Sequence, residues 1–461
     1  MNVPNFFMAD LPPEAELTPS MLKQACEALR RNREQYLAGR SVQSIIKLIA
    51  EVGESWLRPD FRFRQLALQH GPSSSGFSAA TIAEGIDTFF REVTAQNLEN
   101  LVEQDLGDLC RLERMVATPT EDKTGRAAIA IAPHLLAHVT AGNLPCGAWT
   151  SMLLGLLLRS AQFIKCSSGG SLLPRLLAHS IYDADSKLGA CLELTEWRGG
   201  NVPLEDELFH AVDCVTASGS NETIAAIRGR LDPHTRFVPY GHRLSFAFVS
   251  KGVLSGLNAR KIVSRAVDDV VAWDQLGCLS PHVIYVEEST GMSAEQFAET
   301  LAGELAQRET TQSRGTVSVE TAATIASRRS FYELRAAHST KSPETPLTRI
   351  WSSPGSTAWT VVYEADPLFQ ISCLHRFIYV KSVNHLDELL RCADAVQGKV
   401  STVGLAAPEE KAEELATKLA RWGVTRICPL GQMQAPPFAW RHDGRPALGD
   451  LVRWADWEMT A

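Results

Sequence analysis

Residues 273–286 read Trp273-Asp-Gln-Leu-Gly-Cys-Leu-Ser-Pro-His-Val-Ile-Tyr-Val286. The run upstream, about 258–273, places Ile262, Val263, Ala266, Val267, Val270 and Val271 between Lys261, Arg265, Asp268 and Asp269, the period of an amphipathic helix. Downstream of Pro281, residues 283–286 are apolar and β-prone. Cys278 is therefore expected on a short turn, after Gly277, where a helix hands over to a strand. A thiol held there can face a cleft, and it becomes a nucleophile when dipoles or a cation lower its pKa. The plainer reading is a small buried hydrophobe, the usual fate of a cysteine outside a disulfide.

The same alternation of strand and helix extends in both directions. Short β-like runs at 127–132, 134–140, 163–165, 191–195 and 214–217 alternate with helical stretches at about 148–160, 171–187, 204–210 and 221–230. This pattern indicates an α/β fold with a doubly wound, largely parallel sheet. Ligands of such sheets bind beyond the carboxyl ends of the strands. Lys165, Ser167, Ser168, Gly219 and Ser220 all follow predicted strands closely and are the candidate ligand contacts. No Gly-x-Gly-x-x-Gly is present. Gly219-Ser220 reads equally as a phosphate-binding turn and as a strand–helix turn with a serine cap.

A second α/β region starts near Tyr240, with strands at about 244–249, 283–287, 358–363 and 376–380 and helices at about 294–308, 385–396 and 408–421. Residues 1–115 are mainly helical, with Gly71-Pro-Ser-Ser-Ser-Gly76 expected as a breaking loop. The polar stretch 309–345 is the least regular, and the tail is expected to end in a short tryptophan-containing helix. The chain shows no internal repeat, no low-complexity block and no clear linker.

Bulk properties narrow the function. The 461 residues suffice for two or three domains, with 45% apolar and 21% charged residues. A net charge of −8 argues against nucleic acid, because no basic excess is available to neutralise phosphates. No signal peptide is expected from the first residues, and the apolar run 152–158 is too short to span a membrane. Ten cysteines without a Cys-x-x-Cys pair speak against structural zinc and fit a reducing cytoplasm. His134 and His138 have helical metal-ligand spacing, but Pro133 and the β-rich continuation argue against a helix there, so no metal site is assigned.

Several motifs then line up in one order. Gly142-Asn-Leu-Pro145, Lys165-Cys-Ser-Ser168, Gly219-Ser220 and the Cys278 turn resemble four landmarks of the aldehyde dehydrogenase superfamily. The likeness is closer to acyl-CoA reductases of the bacterial luminescence fatty-acid reductase type (LuxC-like). Asn143-Leu-Pro145, Ile164-Lys-Cys-Ser167, Tyr240-Gly-His-Arg-Leu-Ser245, Trp273-Asp-Gln-x-Gly-Cys-x-Ser-Pro281 and His442-Asp-Gly444 carry it, over roughly 115–458. The resemblance implies an aldehyde dehydrogenase-like fold. Its parts would be a helical N-terminal region (1–115), a nicotinamide-cofactor domain (116–238) with a strand extension near 116–131, and a catalytic α/β domain (239–440). A tail (441–461) would pack back on the body or an oligomer interface.

It also implies a reaction, the reduction of a fatty acyl-CoA or related thioester to the aldehyde with NADPH through a Cys278 thioester. Asn143 and the Cys278 N–H would stabilise the oxyanions; by residue type alone Asn143 is a turn residue before Pro145. Lys165, Ser167, Ser168, Gly219 and Ser220 would hold the cofactor. Two departures refine this. Where aldehyde-oxidising members carry a Glu-Leu-Gly-Gly-Lys motif, Tyr240-Gly-His-Arg-Leu has no carboxylate to activate water, which favours reduction over oxidation. His242 is there the candidate proton donor and acceptor, with a structural histidine as the other reading. Ser168 replaces the Glu that pairs with an NAD ribose and repels a 2′-phosphate; with Lys165 this favours NADPH, with NADH as the second cofactor.

The implied partners are acyl-CoA, an acyl carrier protein or an acyl-protein synthetase, and further copies of the chain in a homo-oligomer. Rival readings are a CoA-acylating aldehyde dehydrogenase for a short-chain or specialised acyl group, a cofactor-independent thiol acyltransferase or hydrolase, and a non-catalytic acyl-binding subunit.

Overall fold

The computed structural model describes residues 3–12, 14–340 and 346–459. The chain forms two compact units, one of Met1–Ser75, Ile86–Gly241 and Pro437–Ala461, the other of Gly76–Gly85 and His242–Pro436. The first contains β1 (Arg126–Ile131), β2 (Leu135–Val139), β3 (Ala161–Cys166), β4 (Leu192–Glu196), β5 (Cys214–Ser218) and β6 (Arg236–Tyr240). The second contains β7 (Leu244–Val249), β8 (Val283–Glu287), β9 (Thr348–Ser352), β10 (Thr360–Glu364), β11 (Phe377–Val383), β12 (Val400–Ala406) and β13 (Arg426–Pro429). The last strand, β14 (Arg453–Glu458), returns to the first unit.

In the first unit five parallel strands run in the order β4-β3-β2-β5-β6. The chain reverses its direction of winding between β2 and β5, so a crevice opens there beyond the carboxyl ends. Every residue of β3 is buried, the signature of a central strand covered on both faces. A separate two-stranded antiparallel ribbon joins β1 to β14, with Arg126 opposite Glu458.

The second unit is built on a seven-stranded sheet, β13-β12-β7-β8-β11-β10-β9, parallel except for the edge pair β9–β10. Side chains alternate across it. Ile284 and Val286 of β8 join a core with Val263, Val267 and Val270 of the helix Gly256–Val271 and Phe297 and Leu301 of the helix Ala294–Thr311. Val283 and Tyr285 face a second core with Phe246, Tyr332, Phe377 and Tyr379. Each such buried side chain contributes about 2 kcal/mol, so β8 is pinned from both faces.

Three local expectations are corrected. Residues 71–75 are not a loop: the helix Arg62–Ser75 runs through Pro72. Phe63, Ala67 and Gly71 are buried at i, i+4 and i+8 on the face toward the helix Leu172–Ala184, and that packing outweighs the one N–H lost at proline. The stretch 309–345 contains a 21-residue helix, Val319–Ser339; its last five residues lie outside the described ones. The buried face of that helix is Ile325, Arg329, Tyr332 and Ser339, too polar to show as an apolar stripe. Arg329 is buried because its guanidinium donates to Thr360 Oγ1 at 2.8 Å and to the Trp359 carbonyl at 2.7 Å. The tryptophan-containing tail is β14, not a helix. Trp454 and Trp457 suggest a helical period locally, but the decisive partner is β1, far upstream in sequence.

Candidate active site

The 273–286 stretch is braced residue by residue within the second unit. Trp273, Asp274 and Gln275 all have left-handed backbones, with φ of 49°, 51° and 65°. Leu374, His375 and Arg376 form a second left-handed triplet, at 64°, 55° and 63°. None of the six is glycine, and each such residue costs about 1–2 kcal/mol. The two strained triplets hold one another. Arg376, fully buried, donates from Nε (2.9 Å) and pairs through a second nitrogen (2.7 Å) to Asp274 Oδ1. Its remaining nitrogen reaches Glu309 Oε2 and the Gln312 carbonyl, both at 2.9 Å. The other Asp274 oxygen accepts from the Gly315 N–H at 3.0 Å.

The rest of the motif has equally specific reasons. Trp273 lies against Gly85, where a Cβ would collide with its ring, and meets Phe77 edge-on at 5.1 Å. Gln275 Nε2 donates to the carbonyls of Pro281 (2.8 Å) and Phe377 (3.1 Å), tying both sides of the turn to β11. Gly277 leaves room for Gln434, whose Nε2 donates to Ser280 Oγ at 2.6 Å. Asp269 holds the loop before Gln434 by accepting from the N–H groups of Gly431 (2.6 Å) and Met433 (2.8 Å). Ser245 Oγ donates to the Cys278 carbonyl at 2.8 Å. Within 273–287 every residue is buried except Leu276, which is intermediate, and Cys278, which is exposed.

Cys278 is the only exposed cysteine of the ten, all of which are described and none of which is in a disulfide. Burial pushes the thiols of Cys26, Cys166, Cys191, Cys214 and Cys428 up to about 12 and that of Cys373 up to about 11. Those thiols stay protonated and inert at neutral pH.

His242 lies exposed just before β7, as Cys278 lies before the parallel neighbour β8, both toward the amino edge of the sheet. His282 is buried beneath the turn. Its Nδ1 accepts from the Ser372 N–H at 3.1 Å. Burial, with the nearby His242 charge, lowers its pKa to about 4.

In the first unit Asn143, Lys165, Ser167, Ser168, Gly219 and Ser220 all stand on the carboxyl edge, around the β2/β5 reversal. Asn143 and Ser168 are exposed. Ser167 Oγ is wedged against Gly142 and Gly170, so that hydroxyl locks the β2 and β3 loops together. Lys165 is buried with Nζ 5.7 Å from the Trp197 ring centroid, within cation–π range. Burial lowers its pKa, opposed by Glu205, Cys166 and Glu196. Ser220 caps the helix Asn221–Arg228, accepting from the Thr223 N–H at 3.3 Å. His138, half of the metal-spacing pair, is buried on β2 between Thr216 Oγ1 (2.6 Å) and Gln162 Oε1 (3.0 Å). Arg376 and Gln434 carry no assigned role in the sequence, being remote from the turn in the chain; Asp269 and Ser245 lie in stretches the sequence singles out, but their partners, the Gly431 and Met433 N–H groups and the Cys278 carbonyl, show only in the fold.

This fold is that of aldehyde dehydrogenases. A putative aldehyde dehydrogenase, PutA, from Anabaena variabilis matches 97% of this chain and 95% of its own at TM-score 0.69 and 15% identity. The glyceraldehyde-3-phosphate dehydrogenase GapN of Methanocaldococcus jannaschii, solved with NADP, matches 96% and 95% at TM-score 0.66 and 11% identity. Within that fold the sequence is more specific. The family described as Acyl-CoA reductase (LuxC) matches residues 37–454, and the chain belongs to it. Similar curated relatives are the long-chain acyl-protein thioester reductases of Aliivibrio fischeri (24% identical, 91% of this chain, 82% of the relative) and Vibrio harveyi (22%, 92% and 84%). Among the described residues no helix is long and apolar enough to cross a membrane.

Two outcomes are expected. Limited iodoacetamide at pH 7.5 labels Cys278 first, with Cys166 and Cys214 labelled only on unfolding, as peptide mass spectrometry reads. The His282 pKa lies below its ordinary 6.5, so the neutral ring stabilises the fold above pH 6.5. That stability drains away as pH falls toward 4 and amounts to roughly 3 kcal/mol. In His282→Gln, urea unfolding should show a flatter stability profile between pH 6.5 and 4.

Proposed function

We propose that this protein reduces a long-chain acyl thioester to the aldehyde, with Cys278 as the nucleophile. The observation that carries this reading is the exposure of Cys278 alone among ten cysteines, on a turn braced on both sides. A surface this constrained around one accessible thiol is suited to attack, because the sulfur is already positioned when substrate arrives. The names of the relatives point to an acyl-protein donor, and the family description points to acyl-CoA. Both are thioesters and present the same carbonyl to Cys278.

Cys278 Sγ bonds to the acyl carbon, the bond to the donor sulfur breaks, and the donor leaves as its thiol after taking a proton. The acyl group is then a thioester on Cys278. A nicotinamide, when bound, would supply the hydride that this carbonyl carbon accepts. The resulting thiohemiacetal on Cys278 loses the carbon–sulfur bond, releasing aldehyde and restoring the thiolate. Each addition places negative charge on oxygen. The Cys278 N–H and, from the family motif, the Asn143 amide are the assigned donors, each of which is typically worth about 3 kcal/mol. His242 is the assigned proton carrier for the departing thiol.

The donor set on the first sheet suits a dinucleotide: a winding reversal, a lysine at the end of β3, and an exposed serine. Ser168 leaves space without negative charge, and Lys165 adds a cation, which together favour NADPH over NADH. Hydrolysis of the acyl enzyme requires a general base. Residues 240–244 contain no carboxylate. Glu364, a carboxylate outside that stretch, is buried and engaged by Lys381 Nζ (3.0 Å) and Arg335 Nε (3.1 Å), at the carboxyl end of β10. The acyl enzyme therefore waits for hydride.

Long-chain acyl-CoA without reductant should give a burst of about one CoA per chain and then stall, with the acyl mass on the Cys278 peptide. NADPH should discharge it as aldehyde, and Cys278→Ala should show neither phase. Carboxylate as the main product, or acyl mass on Cys146, would overturn the reading. Ser168→Glu should weaken NADPH binding by about tenfold or more and NADH by less than about threefold, through repulsion of the 2′-phosphate. Equal loss of both, measured by fluorescence titration, would remove Ser168 from the ribose site.

A further inference from the structure

We infer that Arg376 is a positioning residue for the Cys278 nucleophile, an inference that rests on Cys278 being the acyl acceptor. Arg376 is not assigned any contact with substrate or cofactor. It acts through Asp274, four residues before the thiol, and holds the 273–275 backbone in the left-handed course that aims the turn outward. Ordinary residues relax from that course toward the right-handed region unless something opposes them. Arg376 is well placed to oppose it, because it is itself anchored at three points, Asp274, Glu309 and the Gln312 carbonyl.

The reach of the 372–377 segment supports positioning over simple packing. It contacts the motif on both sides of the thiol. Before Cys278 it takes Asp274 and, through the Phe377 carbonyl, Gln275. After Cys278 its Ser372 N–H donates to His282. The sheet itself does not depend on these bonds, since β8 is held by β7, β11 and two apolar cores. Loss of the clasp should therefore leave the sheet folded and let the Cys278 turn drift. A lysine cannot replace the guanidinium, because one ammonium cannot serve Asp274, Glu309 and the Gln312 carbonyl in that fixed planar arrangement.

The test compares two rates on the full chain: CoA release from a long-chain acyl-CoA in single turnover, and alkylation of Cys278 by iodoacetamide. The first needs an aimed sulfur; the second needs only an accessible one. Arg376→Lys should slow acylation by about tenfold or more, since misplacement by about 1 Å suffices for losses up to ~100-fold. Alkylation should change by less than about twofold in a variant shown folded by circular dichroism at the assay temperature. An unchanged acylation rate, or a parallel fall in both rates, overturns the proposal. Should Arg376→Lys not fold, Glu309→Gln decides, because the Glu309 side chain is 26% exposed and the amide leaves Arg376 its Asp274 and Gln312 partners. It should slow acylation by about threefold with alkylation unchanged, and an unaltered acylation rate overturns the inference. Acyl mass on a different cysteine in the unaltered chain would instead fail the functional reading.

Discussion

The pairing of Asp274 with Arg376 is the contact on which the second unit's functional surface depends. Two runs of left-handed, non-glycine backbone meet there, each of them conformationally costly. A buried ion pair is often no better than a well-packed apolar pair, because desolvation offsets the Coulomb attraction. Here the geometry meets the exacting case. The guanidinium is fully buried, spans two carboxylates and a carbonyl, and leaves the second Asp274 oxygen to a backbone N–H. Removing one member would strand the other in the interior, a cost of about 3–5 kcal/mol. The pair thus converts two unfavourable backbones into one defined turn.

From that turn the rest follows by simple mechanics. Gln275, Ser245 and Gln434 hold the carbonyls and hydroxyl around Cys278, while the thiol itself reaches the surface. The strand that follows is buried on both faces and cannot shift to relieve strain. A nucleophile gains from such support because its approach geometry is set before substrate binds. The other nine cysteines show the contrast: those deepest in the cores have thiols raised far above neutrality by burial.

The first sheet contributes a different kind of surface. Its chemistry lies where strands end and loops begin, at the reversal between β2 and β5. Ser167 illustrates how residue type and role separate. By position it is a candidate cofactor contact, and its hydroxyl also packs against Gly142 and Gly170, so it shapes the loops as well. Lys165 keeps its place at the end of β3 but under Trp197, partly withdrawn from water. Ser168 and Ser220 stand open to solvent.

Much of this protein was legible in its chain. The period-3.6 run before Cys278, the apolar run after it and the alternation around both were local signals, and local signals survive folding when each residue's neighbours lie within a turn or along a strand. The α/β class and the place of Cys278 on a helix-to-strand turn came from these. The persistence of the helix through Pro72, the polar-faced helix Val319–Ser339 and the strand β14 did not, because packing against distant segments overrode local preference. The same holds within the site. The motif Trp273-Asp-Gln-x-Gly-Cys marked a special turn, but the reasons for its Asp, Gln and Gly lie in Arg376, Phe377 and Gln434, remote in sequence and adjacent only in space. Sequence determined which residue is the nucleophile candidate and what chemistry a thiol can do. Tertiary structure alone decided which cysteine is exposed and what aims it, because burial and buried ion pairing are properties of surfaces that meet only when the chain is folded.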